Sequence, residues 1–339
     1  MENASASAGI TGTPGSIESS VLRAVGSWVS PGGSRGRLSI LIYHRVMAAV
    51  DPLRPDEVDA RRFEAHLAAL ADHFNVLPLG EAIGRLQSNS LPPRAACITF
   101  DDGYADNADV ALPRLKRFGF NATFFIATGY LDGGCMWNDA LIEMIRAVPG
   151  PWLDLSRFGL DRHRVDSVDD RLRTAFSLIG ALKYLTPEVR QHRVAQLLDA
   201  TSVKQPGDLM MTSAQVRALG QAGMTVGGHT VTHPILNVLK ESCARKEIAE
   251  GREALQHLTG QRIDLFAYPN GVPRRDYQAV HVKMVKDIGF RSAVSTAWGT
   301  ARAGSDSYQL PRFTPWDRSP RRFVLRLLNN CRNGPADQV

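Results

Sequence analysis

Two acids side by side, Asp101 and Asp102, close the apolar run Ile98-Thr99-Phe100 and are followed by Gly103 and Tyr104. Adjacent carboxylates raise each other's proton affinity unless something positive sits beside them. A cation ligated by one acid relieves that repulsion and leaves the other as a base; an Asp-Asp-Gly turn with solvated acids is the bland alternative. A second cluster, Gly227-Gly228-His229-Thr230-Val231-Thr232-His233-Pro234, sets two imidazoles four residues apart just past another apolar run. They converge on one ion if the intervening turn curls, although a lone His pair is more often structural. Position 230 is Thr, so the helical zincin pattern with its built-in glutamate is absent. Together with Asp102 the pair supplies two His and one carboxylate, the protein ligands of an open catalytic metal site.

Two weaker signals also end apolar runs. In Phe266-Ala267-Tyr268-Pro269-Asn270-Gly271 the turn could aim the amide of Asn270 or Gly271 as an oxyanion donor, or be a plain turn. In Ile42-Tyr43-His44 the histidine closes the first apolar run. Such a residue is more often a satisfied core histidine, and its position alone favours a functional reading.

These groups need elements that bring them to one place. Short apolar runs predict strands over Leu38–Tyr43, Asn75–Pro78, Ala95–Phe100, Ala122–Ala127, Thr225–His229, Leu265–Tyr268 and Arg291–Ser295. Between them, Asp59 caps a helix carrying Phe63, Leu67, Leu70 and Phe74 on one face, and Thr212 with Gln215 opens another. Glu241 to Leu258 predicts a long helix ended by Gly260, and Ser319-Pro320 a last one. Alternating strands and helices predict an α/β chain, a β/α barrel whose active site lies at the C-terminal strand ends. Residues 138 to about 211 carry three helix patterns and no strand signal, which predicts a helical insertion. The expected organisation is a flexible leader over 1–36, one domain over 37–332 and a tail over 333–339. Within the leader, Val21, Leu22, Val25, Trp28 and Val29 could form a short docked helix.

Composition narrows the classes further. At 44% hydrophobic and 22% charged, 339 residues make a globular chain, not a disordered or fibrous one. The net charge of +6 is dispersed, so no nucleic-acid stripe forms. Four widely spaced cysteines without a C-x-x-C pair read as free thiols. The N-terminus has neither the basic nor the apolar part of an export signal, and no run is long enough to span a membrane, which predicts a cytoplasmic protein. Peripheral contact with an anionic bilayer through Pro320–Arg326 competes with a simpler reading, a terminal packing helix.

The order T-F-D-D-G-Y, H-T-V-T-H, A-Y-P-N-G resembles the polysaccharide deacetylase family (carbohydrate esterase family 4, the nodulation-factor and chitin deacetylase group), over about residues 38 to 313. The resemblance implies a distorted (β/α)7 barrel and a divalent metal, most often Zn2+. It implies Asp101 as general base, Asp102, His229 and His233 as metal ligands, and the Asn270 amide as oxyanion donor. Two positions depart from the pattern: Ala267 stands where many members carry an arginine that steadies the base, and Leu310-Pro311-Arg312-Phe313 replaces a closing Leu-x-x-His. Tyr43-His44 looks like the arrangement in the branch acting on poly-N-acetylglucosamine, which implies His44 as general acid. The implied substrate is an N-acetylated glycan, a polymer or its lipid- or nucleotide-linked precursor. Tyr104, Trp137 and Trp298 are candidate rim aromatics for sugar rings, each equally plausible as core packing, and Tyr268 and Asn270 complete the expected substrate contacts. Two rival readings are a non-haem iron oxygenase, which leaves Asp101 unexplained, and an inactive glycan-binding module on the same fold.

Overall fold

The computed structural model describes residues 17–333 and 336–339. Nine strands form its main sheet: β1 (Arg37–Tyr43), β2 (Asn75–Val76), β3 (Ala95–Phe100), β4 (Thr123–Ile126), β5 (Thr225–Gly228), β6 (Leu265–Ala267), β7 (Ser292–Trp298), β8 (Ala301–Arg302) and β9 (Leu310–Arg312). Seven of them run parallel in the order β1-β3-β4-β5-β6-β7-β9. The ring closes where Phe313, just past β9, exchanges hydrogen bonds with β1: Ile42 N donates to Phe313 O (3.0 Å) and Phe313 N to Ile40 O (2.8 Å). This is the expected (β/α)7 barrel. β2 pairs with the start of β3, and β8 runs antiparallel to the start of β1. β9 was not expected as a strand; Pro311 at its centre removes a backbone donor, and three residues are too few to show alternation.

Alternation along the strands sorts side chains into two cores. Leu38, Ile40, Cys97, Phe125, Leu265, Ala267, Val294 and Leu310 fill the inside of the ring. Leu41, Tyr43, Ile98, Phe100, Phe124, Phe266, Tyr268 and Phe313 face outward beneath the helices. The inner space is tight: a Cβ on Gly227 of β5 would lie 2.5 Å from the Phe125 ring, so only glycine fits there.

Among the described residues eleven helices accompany the sheet: α1 (Ile17–Val29), α2 (Ala60–His73), α3 (Leu79–Gln87), α4 (Leu112–Phe118), α5 (Trp137–Ala147), α6 (Val168–Leu182), α7 (Pro187–Thr201), α8 (Ser213–Gln221), α9 (Glu241–Thr259), α10 (Ala279–Ile288) and α11 (Pro320–Asn330). Three of the predicted caps form, while Ser319 precedes α11 and Pro320 without making a side-chain capping bond. Asp59 accepts from Arg62 N, Thr212 and Gln215 make a reciprocal capping box, and Gly260 ends α9 at φ 65°. α11 turns Phe323, Val324, Leu327 and Leu328 inward against the core, so packing occupies its apolar face.

Residues 17–36, expected within a flexible leader, carry α1 and a 3-10 turn, and α1 packs Leu22 and Val29 on the core; the rest of that leader lies outside the described residues. At the other end Val339 of the expected tail packs on the core and donates to Gln309 Oε1 (2.9 Å). The segment 138–211 has its own small core around Leu141, Ile145, Leu178 and Leu197. It also contains an unexpected hairpin, Trp152–Asp154 with Arg162–Arg164, whose six residues bury only Leu153 and so carry no readable pattern. All four cysteines are free. No helix among the described residues is long and apolar enough to cross a membrane.

Candidate active site and metal centre

The two-residue period of the strands carries the candidate side chains to the barrel mouth. Ile40 points inward on β1, which puts Ile42 and then His44 on the inner side; Cys97 does the same on β3 for Thr99 and Asp101. The same alternation brings His229 inward past β5 and Arg312 inward on β9. Asp102, next to Asp101, should point away, but its backbone adopts φ 77°, and the following Gly103 φ 93°, which swings the second carboxylate back. Thr230 (φ 67°), His233 (φ 52°) and Asn270 (φ 59°) are also left-handed without being glycine. Such residues cost of order 1–3 kcal/mol each and persist where surrounding contacts over-determine them.

Asp102, His229 and His233 offer ligand atoms that all lie within 4.8 Å of one another. Asp102 Oδ1 stands 3.3 Å from His229 Nε2 and 3.2 Å from His233 Nε2, yet neither contact has hydrogen-bond geometry and this buried oxygen has no partner. His229 Nδ1 contacts Ala267 O at 2.7 Å; a carbonyl only accepts, so Nδ1 carries a hydrogen and Nε2 is the ring's candidate ligand atom. Burial lowers the His229 imidazole, but Asp101 and Asp102 outweigh it and raise it above its ordinary value; a cation bound at Nε2 would take the place of that proton. Burial pushes the His233 imidazole down to about 4 against the pull of Asp102, which keeps its ring neutral at pH 7. Burial raises the Asp102 carboxyl, but His233 and His229 outweigh it and hold it well below the usual carboxylate range. An orphaned carboxylate oxygen facing the Nε2 atoms of two imidazoles fits a divalent cation such as Zn2+.

Asp101 is held apart from this trio. Arg312 clasps it bidentately, Nη1 to Oδ1 and Nη2 to Oδ2, both at 2.7 Å, while Arg312 Nε donates to Ser295 O (2.8 Å). Burial raises the Asp101 carboxyl, and the guanidinium with His229 reverses that, so it lies below the ordinary value and is ionised at neutral pH. His44 is half-buried at the mouth, near enough to interact electrostatically with Asp101, Asp102 and His233. Asn107 Nδ2 anchors it by donating to His44 O (2.9 Å).

The arginine absent at Ala267 thus has its counterpart on β9. In sequence, the Leu310-Pro311-Arg312-Phe313 run stands out only for its lack of histidine; the inward phase of Arg312 two residues after Leu310 is the signal of its role. In the Pro269-Asn270-Gly271 turn, Gly271 N donates to Pro269 O (2.7 Å), which uses up one of the two expected donors. Among the described residues no acceptor meets the Asn270 N–H, and Asn270 is half-buried at the turn.

Two expected glycan contacts are corrected. Tyr268 follows Phe266 on the outward face, stacks on Tyr277 (4.0 Å between centroids) and donates to Tyr308 O; it is fully buried. Tyr104 is also buried; its hydroxyl donates to Asp139 Oδ2 (2.8 Å) and Arg45 covers its ring. Neither ring has a face to offer a sugar. Trp137 is half-buried under Arg190 and lines a cleft of about 810 Å³ between the insertion and α9, bordered by Val231 and Thr232 of the histidine loop; Trp298 pairs with Trp316.

The family model for polysaccharide deacetylases matches residues 88–149 and 183–293. A relative in Bacillus subtilis (strain 168), YxkH, whose name assigns it provisionally to the polysaccharide deacetylases, is 24% identical over 278 residues, covering 81% of this chain and 70% of the relative. The Streptococcus pyogenes deacetylase PplD, solved with acetate, is similar in structure with a TM-score of 0.58 at 21% identity, over 86% of this chain and 98% of that one. IcaB from Ammonifex degensii gives a TM-score of 0.56 at 17% identity, over 90% and 99%.

Proposed function

This chain belongs to the polysaccharide deacetylase family, and on that premise we propose that it is a metal-dependent hydrolase removing N-acetyl groups from an amino-sugar glycan. The observation that carries the reading is the division of labour between adjacent acids: Asp102 Oδ1 is orphaned between two imidazoles while Arg312 clasps Asp101.

Asp102, His229 and His233 would hold the ion, for which Zn2+ suits the two-nitrogen, one-oxygen donor set. When bound, such an ion supplies Lewis acidity to the acetyl carbonyl and to the attacking water. Asp101, kept ionised by Arg312, accepts the proton that the water loses as it adds to the carbonyl carbon. The Asn270 N–H is the donor available to the developing oxyanion. His44 then gives a proton to the sugar nitrogen, so that the C–N bond breaks to release an amine and acetate; such proton transfers typically contribute about 10²–10⁴-fold. The barrel mouth excludes bulk water: the side chains of Asp101 and His229 are only 3% and 1% exposed.

Acetate release from N-acetylated oligosaccharides, measured with and without a chelator alongside metal content, tests the reading. Chelated protein should lose activity and regain it with added divalent metal; His233→Ala should lose the metal, and His44→Ala should keep it but turn over at least about 10²-fold more slowly. Undiminished acetate release from metal-free protein would refute the proposal.

A further inference from the structure

We infer that Glu247, on α9, is a positioning residue that presets the metal-binding loop from outside the site. The inference rests on the reading of His229 and His233 as ligands.

To aim two imidazoles at one point, the loop from His229 to His233 passes through two left-handed non-glycine residues, Thr230 and His233. Something must hold it there. The peptide N–H groups of Val231 and Thr232, between the two histidines, both donate to Glu247 Oε2, at 2.9 and 2.8 Å. The Thr232 hydroxyl donates to Glu247 Oε1 at 2.7 Å. Consecutive peptide N–H groups converging on one carboxylate oxygen form an anion nest, and hydrogen bonds to an ionised acceptor are about twice as strong as neutral ones. One carboxylate therefore occupies both peptide donors of Val231 and Thr232 and the Thr232 hydroxyl, between the proposed ligands.

The opposite side of the loop is fixed through its carbonyls. Thr128 N donates to Thr230 O (3.2 Å), Gly129 N to Val231 O (2.8 Å), and the Tyr130 hydroxyl to Thr232 O (2.9 Å). Within the loop His233 N donates to Thr230 Oγ1 (3.1 Å). α9 comes close enough for the clasp because Gly251, one turn beyond Glu247, has no side chain: a Cβ there would lie 2.8 Å from the Thr230 carbonyl. Glu247 is bonded to the backbone and hydroxyl of the bridge, and so acts through its shape.

Without the carboxylate, the Val231 and Thr232 donors lose their partners and the left-handed residues lose the contacts that hold them. His233 then leaves its place opposite Asp102. Titrating Zn2+ into metal-free wild type, Glu247→Ala, Glu247→Gln and His233→Ala, with the melting midpoint of each apo protein, tests this. Glu247→Ala should weaken Zn2+ binding about 10–100-fold, the range for groups that orient ligands. Glu247→Gln keeps one acceptor oxygen and the side-chain shape, so it should recover part of the affinity; if the alanine variant does not fold, the glutamine variant alone must still bind more weakly than wild type. A lowered apo melting midpoint with wild-type affinity in both Glu247 variants, while His233→Ala loses the metal, would reduce Glu247 to a structural residue and overturn the inference. Wild-type affinity in His233→Ala would instead sink the ligand reading, and the inference with it.

Discussion

Arg312 and Asp101 meet almost entirely out of water, with side chains 0% and 3% exposed, so each is costly without the other. Removing one partner of a buried pair typically costs about 3–5 kcal/mol, because the other charge is left uncompensated. Arg312→Met should therefore lower the unfolding free energy by that order, read from denaturant melts. It should also move the acidic limb of kcat/KM to higher pH: the attraction that depresses Asp101 is gone while the burial that raises it remains. An unmoved limb would separate Asp101 from the rate-limiting proton transfer. Arg312→Lys keeps the charge but not the fork, so it should recover part of the stability and less of the turnover. The candidate ligands were legible as residues because their chemistry is unusual at that spacing. Arg312 was not, because one arginine among forty basic residues carries no mark until its strand phase is known.

At the scale of elements, strand alternation decides which conspicuous residues can act. Tyr268 lies one residue beyond Ala267, and that single step turns it outward onto Tyr277, whereas Asp101, two residues beyond Thr99, stays inside. Tyr104 serves a different element. Its hydroxyl and Arg54 Nη2 both donate to the buried Asp139 of α5, at 2.8 and 2.9 Å, tying the insertion to the loop that carries the acids. Tyr104→Phe should cost about 1–3 kcal/mol in unfolding free energy by leaving Asp139 under-satisfied, with metal content unchanged. Gly227→Ala should cost a similar 1–3 kcal/mol or more, since its methyl would be driven into the Phe125 ring. If either variant melts like wild type, the corresponding packing account is wrong. Helices with caps were readable from sequence to within a few residues; the short hairpin and β9 were not, since three-residue strands are too brief to express a period.

Across the whole molecule, the barrel is complete only when Phe313 bonds to β1, which lies some 270 residues earlier in the chain. Phe313 is fully buried, and its replacement by alanine should cost about 3–5 kcal/mol. A chain cut before Leu310 loses the closing strand and Arg312 together; it should show no cooperative unfolding transition by circular dichroism. A sharp transition in that fragment would mean that the ring is stable open. The sequence by itself determined the alternation of strands and helices, the position of the insertion and the residue types able to bind a cation, because local periodicity and side-chain chemistry are written in short stretches. Tertiary structure alone decided that Arg312 steadies Asp101, that Tyr104 and Tyr268 face protein instead of sugar, and that Glu247 clasps the histidine loop. Those facts depend on contacts between distant segments, which ring closure and the inward or outward phase of each strand create and no local pattern encodes.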